Sequence, residues 1–414
     1  MYSRHLTQPL LAALADSPIV FLNGARQTGK STLAQQIATG PHQARYITLD
    51  DLGVLAAAKS DPQGFLAGME GRVVLDEVQR APELFLPLKA EVDRDRRPGR
   101  FLLTGSASVL VLPELSRFLT GRMEILTLWP LSQGEVAGVK EEFIDAIFKP
   151  DLPMVSFKPV ARETLWDRVA RGGYPEPLSR PLPERRRAWS DSYLTTIIER
   201  DVRDLANIDG LTQLPRLLSL LAIRTACIMN YAELSRSMAL PQTTLKRYLA
   251  LLEATFLAHR LPPWSGNMGK RLIKAPKLFL NDTGLAANLM GIDAILPGAT
   301  ASGPLLETFV MTELAKQSGW SRTKPRMHHF RTQSGLEADL VLEDGRGRCV
   351  GIEVKASASV DAGDLKGLKA LEESSGGRFV RGVVLYTGRE TVPFARNLHA
   401  LPISALWQLR FPGG

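Results

Sequence analysis

One short stretch near the start of the chain has the residue types and spacing that bind phosphate. Residues 24–31 read Gly-Ala-Arg-Gln-Thr-Gly-Lys-Ser and match G-x-x-x-x-G-K-[S/T] at every fixed position. An apolar run that predicts a strand precedes them and a predicted helix follows, which is the context this motif needs. Backbone N–H groups of such a loop point at phosphate oxygens, and the helix dipole adds to the attraction. Lys30 is expected to reach the β- and γ-phosphates, and the Ser31 hydroxyl to bind Mg²⁺.

A chance glycine-rich turn is the alternative, and the flanking strand and helix argue against it. The candidate nucleotide-binding residues are Gly24, Ala25, Arg26, Gln27, Thr28, Gly29, Lys30, Ser31 and Thr32.

A second predicted strand ends in two carboxylates. Residues 73–75 are apolar, and Asp76 and Glu77 follow directly. Asp76 is expected to hold Mg²⁺ through water, and Glu77 to orient or polarise the attacking water. An acidic strand end in solvent is the alternative, but the complete phosphate loop upstream favours the catalytic interpretation.

A third apolar strand, residues 100–104, is followed by a polar tip. A side chain there would lie between the first two motifs and could touch the γ-phosphate or the water. Ser106 or Thr104 is therefore the candidate sensor of the nucleotide. For Ser108, a helix N-cap is an equally good explanation.

Phosphoryl transfer also needs a cation against the developing negative charge, often from a neighbouring subunit. Arg117 and Arg122 follow the third strand at a suitable distance, and Arg200 is a further candidate. Arg122 is the one we assign to this catalytic role. For each of the three, an ion-paired surface arginine is the competing interpretation.

A second group of chemically capable residues lies near the C-terminus. Two predicted strands, residues 335–342 and 350–355, alternate between apolar and polar positions. On adjacent strands Asp339 and Glu353 would converge on one metal ion, with Lys355 beside them. Mg²⁺ or Mn²⁺ held there would lower the pKa of bound water and promote phosphodiester hydrolysis. A surface hairpin with solvated charges is the alternative, and a fold that binds DNA without cutting it is a third interpretation.

The pattern of elements indicates how these groups are positioned. Continuous apolar runs separated by helical stretches predict a parallel sheet with both faces covered, hence a doubly wound α/β domain over residues 1–150. Residues 151–300 are mainly helical. Residues 301–414 predict a helix, three strands, a second helix and a strand, which is an α/β domain.

The middle region contains a helix-turn-helix pattern. Residues 231–238 and 242–256 predict two helices, and the segments 258–263 and 277–280 would form a wing. The early exposed positions of the second helix are Gln242, Thr243, Thr244, Lys246 and Arg247, and a basic cluster follows at Lys270, Arg271, Lys274 and Lys277. This favours DNA contact through phosphates. The alternative is a winged helix used for packing or protein contact.

Composition sets broad limits. The 51 Lys and Arg residues exceed the 43 Asp and Glu residues, and the formal charge of +8 suits a polyanionic partner without requiring one. Two cysteines exclude a disulfide scaffold and argue against a cysteine zinc site. No apolar run approaches the length of a membrane helix. The short apolar run at residues 10–15 is interpreted as a first helix and not as an export signal, so a cytoplasmic protein is expected.

The segments that carry a family resemblance are residues 24–31, 46–51, 75–79, 103–108, 121–122, 130–132, 172–175 and 278–284. Together they resemble the AAA+-type P-loop ATPases of bacteria and archaea that carry an uncharacterised C-terminal region. The resemblance covers nearly the whole chain and implies an ATP-binding fold that forms homo-oligomers.

The C-terminal pattern D…E-x-K also resembles the PD-(D/E)-x-K nuclease fold, with Ala338 where the proline would be. The order of helices and strands matches that fold. The predicted helix before the hairpin offers Glu307 and Glu313, and the family pattern favours Glu307 as an additional metal ligand.

Two functions follow as hypotheses. The first is an ATP-dependent enzyme that binds DNA through the winged helix and cleaves it with the nuclease-like domain. The second is a nucleotide-operated oligomeric switch whose C-terminal domain binds nucleic acid or protein without cleavage. A simple transcription regulator would leave the hairpin of acids and Lys355 unexplained.

Overall fold

The computed structural model describes residues 2–106, 120–152, 157–203, 211–264, 275–292, 294–295 and 298–410. Five residues singled out from the sequence lie outside these ranges: Ser108, Arg117, Lys270, Arg271 and Lys274. Contacts divide the chain into two compact units, residues 3–131 with 251–257, and residues 132–250 with 258–414. The three predicted domains, residues 1–150, 151–300 and 301–414, stay a prediction.

The first unit is built on a five-stranded parallel sheet. Its strands are Ile19–Asn23 (β1), Arg45–Thr48 (β2), Val73–Asp76 (β3), Phe101–Gly105 (β4) and Met123–Thr127 (β5). Their order is β2-β3-β4-β1-β5, and each neighbouring pair is parallel. Every residue of β1, β3 and β4 is buried, as expected for a sheet covered on both faces. The predicted parallel sheet is confirmed, and β4 lies between the strands that carry the first two motifs.

Helices pack on this sheet through apolar side chains. The described helices of the unit are Thr7–Asp16 (α1), Lys30–Thr39 (α2), Leu52–Ser60 (α3), Pro62–Ala67 (α4) and Phe85–Arg94 (α5). Leu10 of α1 and Ile37 of α2 lie with Val20 of β1 in one buried cluster. This packing fixes the start of α2, and therefore the phosphate loop before it, against the end of β1.

The second unit contains a six-stranded sheet. Its strands are Arg326–Arg331 (β9), Glu337–Glu343 (β10), Cys349–Lys355 (β11), Phe379–Tyr386 (β12), Val392–Ala395 (β13) and Leu398–Pro402 (β14). The order is β13-β14-β12-β11-β10-β9. The sheet is mixed: β11, β12 and β14 run parallel, and the remaining pairs are antiparallel. The α/β character predicted for this region is observed, whereas its nuclease-like classification stays a proposal.

The rest of the second unit is mainly helical. Its helices begin with Gln133–Ala137 (α6), Phe143–Ile147 (α7), Arg162–Arg171 (α8), Pro175–Leu178 (α9), Pro183–Thr196 (α10) and Leu214–Ile223 (α11). They continue with Tyr231–Met238 (α12), Gln242–Ala254 (α13, of which residues 251–254 belong to the first unit), Thr283–Leu289 (α14), Ser302–Ser318 (α15), Lys366–Ser375 (α16) and Ala405–Gln408 (α17). A three-stranded antiparallel sheet, ordered β6-β8-β7, is formed by Cys227–Ile228 (β6), Ala258–Leu261 (β7) and Lys277–Leu280 (β8).

The predicted pair of helices is present as α12 and α13, with β7 and β8 after it along the chain. Leu245 and Leu249 of α13 are buried, whereas Lys246 and Arg247 are exposed. This is the amphipathic pattern expected from the sequence. The assignment of the region as a DNA-binding winged helix stays a proposal.

A fully buried aspartate ties α8 to α14. Asp282 is the N-cap of α14, where its Oδ1 accepts the N–H of Leu285 at 3.0 Å. Its Oδ2 accepts the N–H of Gly173, just after α8, at 2.7 Å. The segments 172–175 and 278–284, which are distant in sequence, therefore form one structural joint. Within the described part of the chain, no helix is long and apolar enough to cross a membrane.

Candidate functional site

The phosphate loop connects the carboxyl end of β1 to the amino end of α2. Gly29 is the N-cap of α2 and adopts φ 92°, a left-handed conformation that favours glycine. Gly24 has φ 149°, and a Cβ there would lie 2.3 Å from the carbonyl oxygen of Leu128. Both fixed glycines of the motif are therefore required by the backbone itself, before any nucleotide is considered.

The loop is held by its own side chains and by the N-terminal segment. Lys30 Nζ donates to the carbonyl oxygens of Gly24 and Ala25 at 2.9 and 2.8 Å. Thr28 Oγ1 also donates to Ala25 O, at 3.0 Å. Arg4 donates to Thr28 O and to Trp129 O, both at 2.6 Å. The sequence pattern did not predict this clamp by Arg4, because Arg4 lies 24 residues before the loop position that it contacts.

Asp76 lies at the end of β3, beside the start of α2. Its Oδ1 accepts the Ser31 hydroxyl at 3.1 Å and also the Thr104 hydroxyl from the tip of β4. Its Oδ2 accepts the Tyr46 hydroxyl at 2.6 Å. A hydroxyl and a carboxylate side by side are the hard oxygen ligands that Mg²⁺ prefers. The residues present therefore fit the magnesium site expected here.

Glu77 adopts φ 59° at the turn after β3, which separates its side chain from that of Asp76. Its backbone N–H donates to Thr104 Oγ1 at 3.1 Å. Its carboxylate accepts Gln79 Nε2, which also donates to Ser106 Oγ at 2.9 Å. The structure thus brings Glu77 and the predicted sensor Ser106 together. It adds Gln79 as the group that links them, a role that the sequence pattern did not reveal.

Arg122 lies at the other edge of this sheet. It precedes β5, and its carbonyl oxygen accepts the N–H of Ile19 at the amino end of β1. The five residues of β1, at about 3.3 Å each, separate this edge from the phosphate loop. Its guanidinium pairs with Asp93 at 2.5 Å. Within one chain, Arg122 therefore lies at the end of the sheet away from the phosphate loop, and its catalytic role stays a proposal. Arg200 is exposed, in the second unit.

We expect Tyr46→Phe to weaken the first unit. Burial, together with the hydrogen bond to Asp76, raises the pKa of Tyr46 well above its usual value, so the hydroxyl remains a donor. Its removal leaves a buried carboxylate oxygen without that donor, at a cost of about 1.5–3 kcal/mol. Urea unfolding followed by tryptophan fluorescence measures the loss. Tyr2→Phe, at an exposed tyrosine, is the control, and equal midpoints for the two variants would contradict the role of Tyr46.

The second unit contains a cluster of acids around a buried lysine. Lys277 Nζ lies 2.5 Å from Glu307, 3.0 Å from Glu337 and 3.1 Å from Asp339. Only 3% of the Lys277 side chain is exposed. From the sequence, Lys277 is expected in a basic cluster that faces DNA. This expectation is wrong, because the Lys277 ammonium points into three carboxylates.

The hairpin residues complete this acidic cluster. Lys355 Nζ lies 3.0 Å from Glu353 and 3.4 Å from Asp364. Asp339 Oδ2 accepts the backbone N–H of Val354 on the neighbouring strand at 2.9 Å. The shared face predicted for Asp339, Glu353 and Lys355 is therefore present. Of the two glutamates weighed on α15, Glu307 joins the cluster.

Glu313, the other glutamate of α15, is fully buried elsewhere. It accepts Lys316 Nζ at 2.6 Å and the backbone N–H of Gln133 at 2.8 Å.

Burial and mutual repulsion change the ionisation of the cluster. Burial, and then the charge of Asp339, raise the pKa of Glu353 to about 8. The same two causes raise the pKa of Glu307 well above its usual range. Burial alone would lower the pKa of Lys277, but Asp339, Glu307 and Glu337 outweigh it and keep the ammonium charged.

The fit of this cluster to a metal ion is mixed. Across the described residues, no three His, Cys, Asp or Glu side chains stand as a ready metal site. Here the Lys277 ammonium lies between Glu307 and Asp339. The donor chemistry nevertheless fits Mg²⁺ or Mn²⁺, since all the ligands are carboxylates. Glu353 Oε2 is also buried and has no hydrogen-bond partner among the residues that the structure describes. The metal site of Glu307, Asp339 and Glu353 stays a proposal.

Comparison with known proteins supports the assignment of the first unit. The family model described as an AAA domain matches residues 16–137. Two domains of unknown function, DUF8612 and DUF4143, match residues 162–295 and 302–406. The chain therefore contains an AAA-type P-loop domain, as the sequence resemblance implied.

Among solved structures, the chain is similar to the Holliday junction branch migration motor RuvB of Thermotoga maritima. The two are 19% identical with a TM-score of 0.28, and the match covers 62% of this chain and 89% of that chain. AMPPCP-bound DnaA from Aquifex aeolicus matches at 14% identity and a TM-score of 0.29, covering 60% and 85%. TM-scores below 0.5 do not establish a shared fold, so the assignment rests on sequence.

Two mycobacterial proteins match almost the whole chain. The uncharacterized proteins Rv2008c of Mycobacterium tuberculosis and Mb2031c of Mycobacterium bovis are each 32% identical over 400 residues, which are 95% of this chain and 82% of the relative. The chain, with its AAA domain at residues 16–137, belongs to the same family as these two relatives.

Proposed function

We propose that the protein binds ATP with Mg²⁺ at residues 24–32 and hydrolyses it. The observation that carries the proposal is the pairing of Ser31 with Asp76, 3.1 Å apart, beside a preformed phosphate loop. A bound Mg²⁺ would supply positive charge against the phosphates of ATP. Ser31 and Asp76 would hold the ion, and Lys30 would turn from its own loop carbonyls to the phosphates.

We assign to Glu77 the activation of the water that attacks the γ-phosphate. The Glu77 carboxylate would accept its proton or fix its direction. Gln79 and Ser106 hold that carboxylate in place, and Ser106 would report the presence of the γ-phosphate. Arg122, supplied by a neighbouring copy in a homo-oligomer, would stabilise the developing charge.

We propose, as a second function, metal-dependent cleavage of DNA by the second unit. The observation favouring it is the meeting of Asp339, Glu353, Lys355 and Glu307 in one half-buried cluster. Asp339, Glu353 and Glu307 would bind Mg²⁺ or Mn²⁺, and Lys355 would position water or steady the charge on the phosphodiester.

The exposed Lys246 and Arg247 of α13 would contact DNA phosphates. The competing function is a nucleotide-operated oligomeric switch that binds nucleic acid or protein without cleavage. It would use the same cluster for binding alone.

One set of assays separates these functions. Phosphate release from ATP and cleavage of single- and double-stranded DNA are measured on wild type, Lys30→Ala and Lys355→Ala, with Mg²⁺, with Mn²⁺ and with EDTA. Lys30→Ala should lose phosphate release, and Lys355→Ala should lose DNA cleavage while still hydrolysing ATP. ATP hydrolysis without any cleavage by the wild type would reject the nuclease and leave the switch.

We expect Glu353→Gln and Asp339→Asn to abolish metal-dependent cleavage. Groups that merely orient a metal ligand contribute about 10–100-fold to activity, so loss of a ligand should cost more than about 100-fold. Nicking of supercoiled DNA with Mn²⁺ measures the rate. Glu373→Gln, at an exposed glutamate of α16, is the matched control. Equal nicking by Glu353→Gln and this control would remove Glu353 from the site.

A further inference from the structure

The acidic cluster already contains a cation, the ammonium of Lys277. This lysine is on β8, outside the hairpin that carries Asp339 and Glu353, yet its Nζ is within 3.1 Å of three carboxylates. A side chain that is 97% buried rarely carries a charge unless opposite charges surround it. The cluster is thus built around a positive charge at this point.

The same oxygens are those that a divalent ion would need. Glu307 and Asp339 bind Lys277, and both belong to the proposed metal site. An ammonium and a divalent ion of like sign cannot share these oxygens at such distances without strong repulsion. One of them must leave when the other binds.

The cluster nevertheless has more carboxylate than Lys277 and Lys355 satisfy. Within the described residues, Glu353 Oε2 is buried and accepts no hydrogen bond. Glu313, also buried in this unit, differs because both of its carboxylate oxygens accept a hydrogen bond, one from Lys316 Nζ and one from the N–H of Gln133. The unpartnered Glu353 oxygen shows that Lys277 and Lys355 leave one acceptor of the described cluster unused.

We propose that Lys277 is a resident counter-ion that competes with divalent metal: it neutralises the cluster in the metal-free protein and withdraws when Mg²⁺ or Mn²⁺ binds. This inference rests on the metal site of the second proposed function. The metal site of the second unit is then occupied by Lys277 in the metal-free protein, and it is complete only after the metal displaces the lysine.

The first test is Mn²⁺ affinity, measured by electron paramagnetic resonance of free Mn²⁺ on the full chain without nucleotide. Asp76→Asn is present in every sample so that the site of Ser31 and Asp76 at the phosphate loop does not contribute Mn²⁺ binding. Lys277→Met, which keeps the length of the side chain without its charge, should bind Mn²⁺ at the cluster about tenfold more tightly or better. Lys316→Met is the matched control and should bind like the parent protein. Mn²⁺ binding that is lost in Glu353→Gln is assigned to the cluster.

The second test needs no change at Lys277 and therefore does not depend on the folding of Lys277→Met. Lysines of the wild-type chain are acetylated briefly with acetic anhydride, with and without Mn²⁺, and quantified by mass spectrometry. Mn²⁺ should raise the labelling of Lys277 several-fold relative to Lys316, because the displaced amine leaves its carboxylates.

The outcomes are distinct. The competition is rejected if Lys277→Met and its parent bind Mn²⁺ at the cluster with equal affinity, or if Mn²⁺ leaves the labelling of Lys277 unchanged. Neither result argues against the metal site itself. If neither protein binds Mn²⁺ at the cluster, both the competition and the metal-dependent function fail.

Discussion

Glu77→Gln should reduce ATP turnover by about 10²–10⁴-fold, the usual contribution of a general base. The substitution keeps the size of the side chain but removes the negative oxygen that would accept a proton from water. ATP binding should persist, since Ser31, Lys30 and Asp76 are unchanged. Single-turnover phosphate release gives the rate, and titration with a fluorescent ATP analogue gives the affinity.

The fold should also survive this change. A glutamine at position 77 can still pair with Gln79 and Ser106, which hold the present carboxylate. Glu83→Gln is the matched control because Glu83 is exposed in the same region of the chain. Turnover by Glu77→Gln within a few-fold of this control would show that another group activates the water.

The sequence predicted the ATP site because its main parts are consecutive residues. The phosphate loop, and the pair Asp76 and Glu77, each depend on a single strand and the turn after it. The supporting contacts could not be predicted, since they join separate elements. Tyr46 reaches Asp76 across 30 residues, and Gln79 reaches Ser106 across 27. Neither spacing forms a recognisable pattern, and only the order of the parallel strands brings these pairs together.

In the second unit, strand alternation predicted which hairpin residues share a face. The period of two in β10 and β11 was sufficient to place Asp339, Glu353 and Lys355 together. The prediction that Lys277 faces DNA was wrong because a lysine near other basic residues suggests a solvated surface. Its partner Asp339 lies 62 residues away. Charge counted along the chain therefore could not show that this lysine faces inward.

Gly172→Ala should destabilise the second unit by about 3–5 kcal/mol, combining backbone strain with a broken polar joint. Gly172 ends α8 with φ 68° and ψ −153°, a region accessible essentially to glycine alone. A Cβ there would lie 2.2 Å from Asp282 Oδ1 and 2.6 Å from Oδ2. The aspartate would have to move, and the N–H groups of Gly173 and Leu285 would lose their acceptor. Chemical denaturation of the full chain, followed by circular dichroism, measures the loss.

Gly291→Ala separates strain from collision. Gly291 also has a positive φ, 69°, but a Cβ there would meet none of the described atoms within 4 Å. Its cost should be limited to the left-handed backbone, about 1–2 kcal/mol. Asp282→Asn tests the polar joint without adding a Cβ. The amide NH₂ of asparagine would face one of the two backbone N–H groups that now donate to the carboxylate, so that hydrogen bond would be lost. If Gly172→Ala were no more destabilising than Gly291→Ala, Asp282 would not be the joint between α8 and α14. The paired motifs at residues 172–175 and 278–284 would then need another explanation.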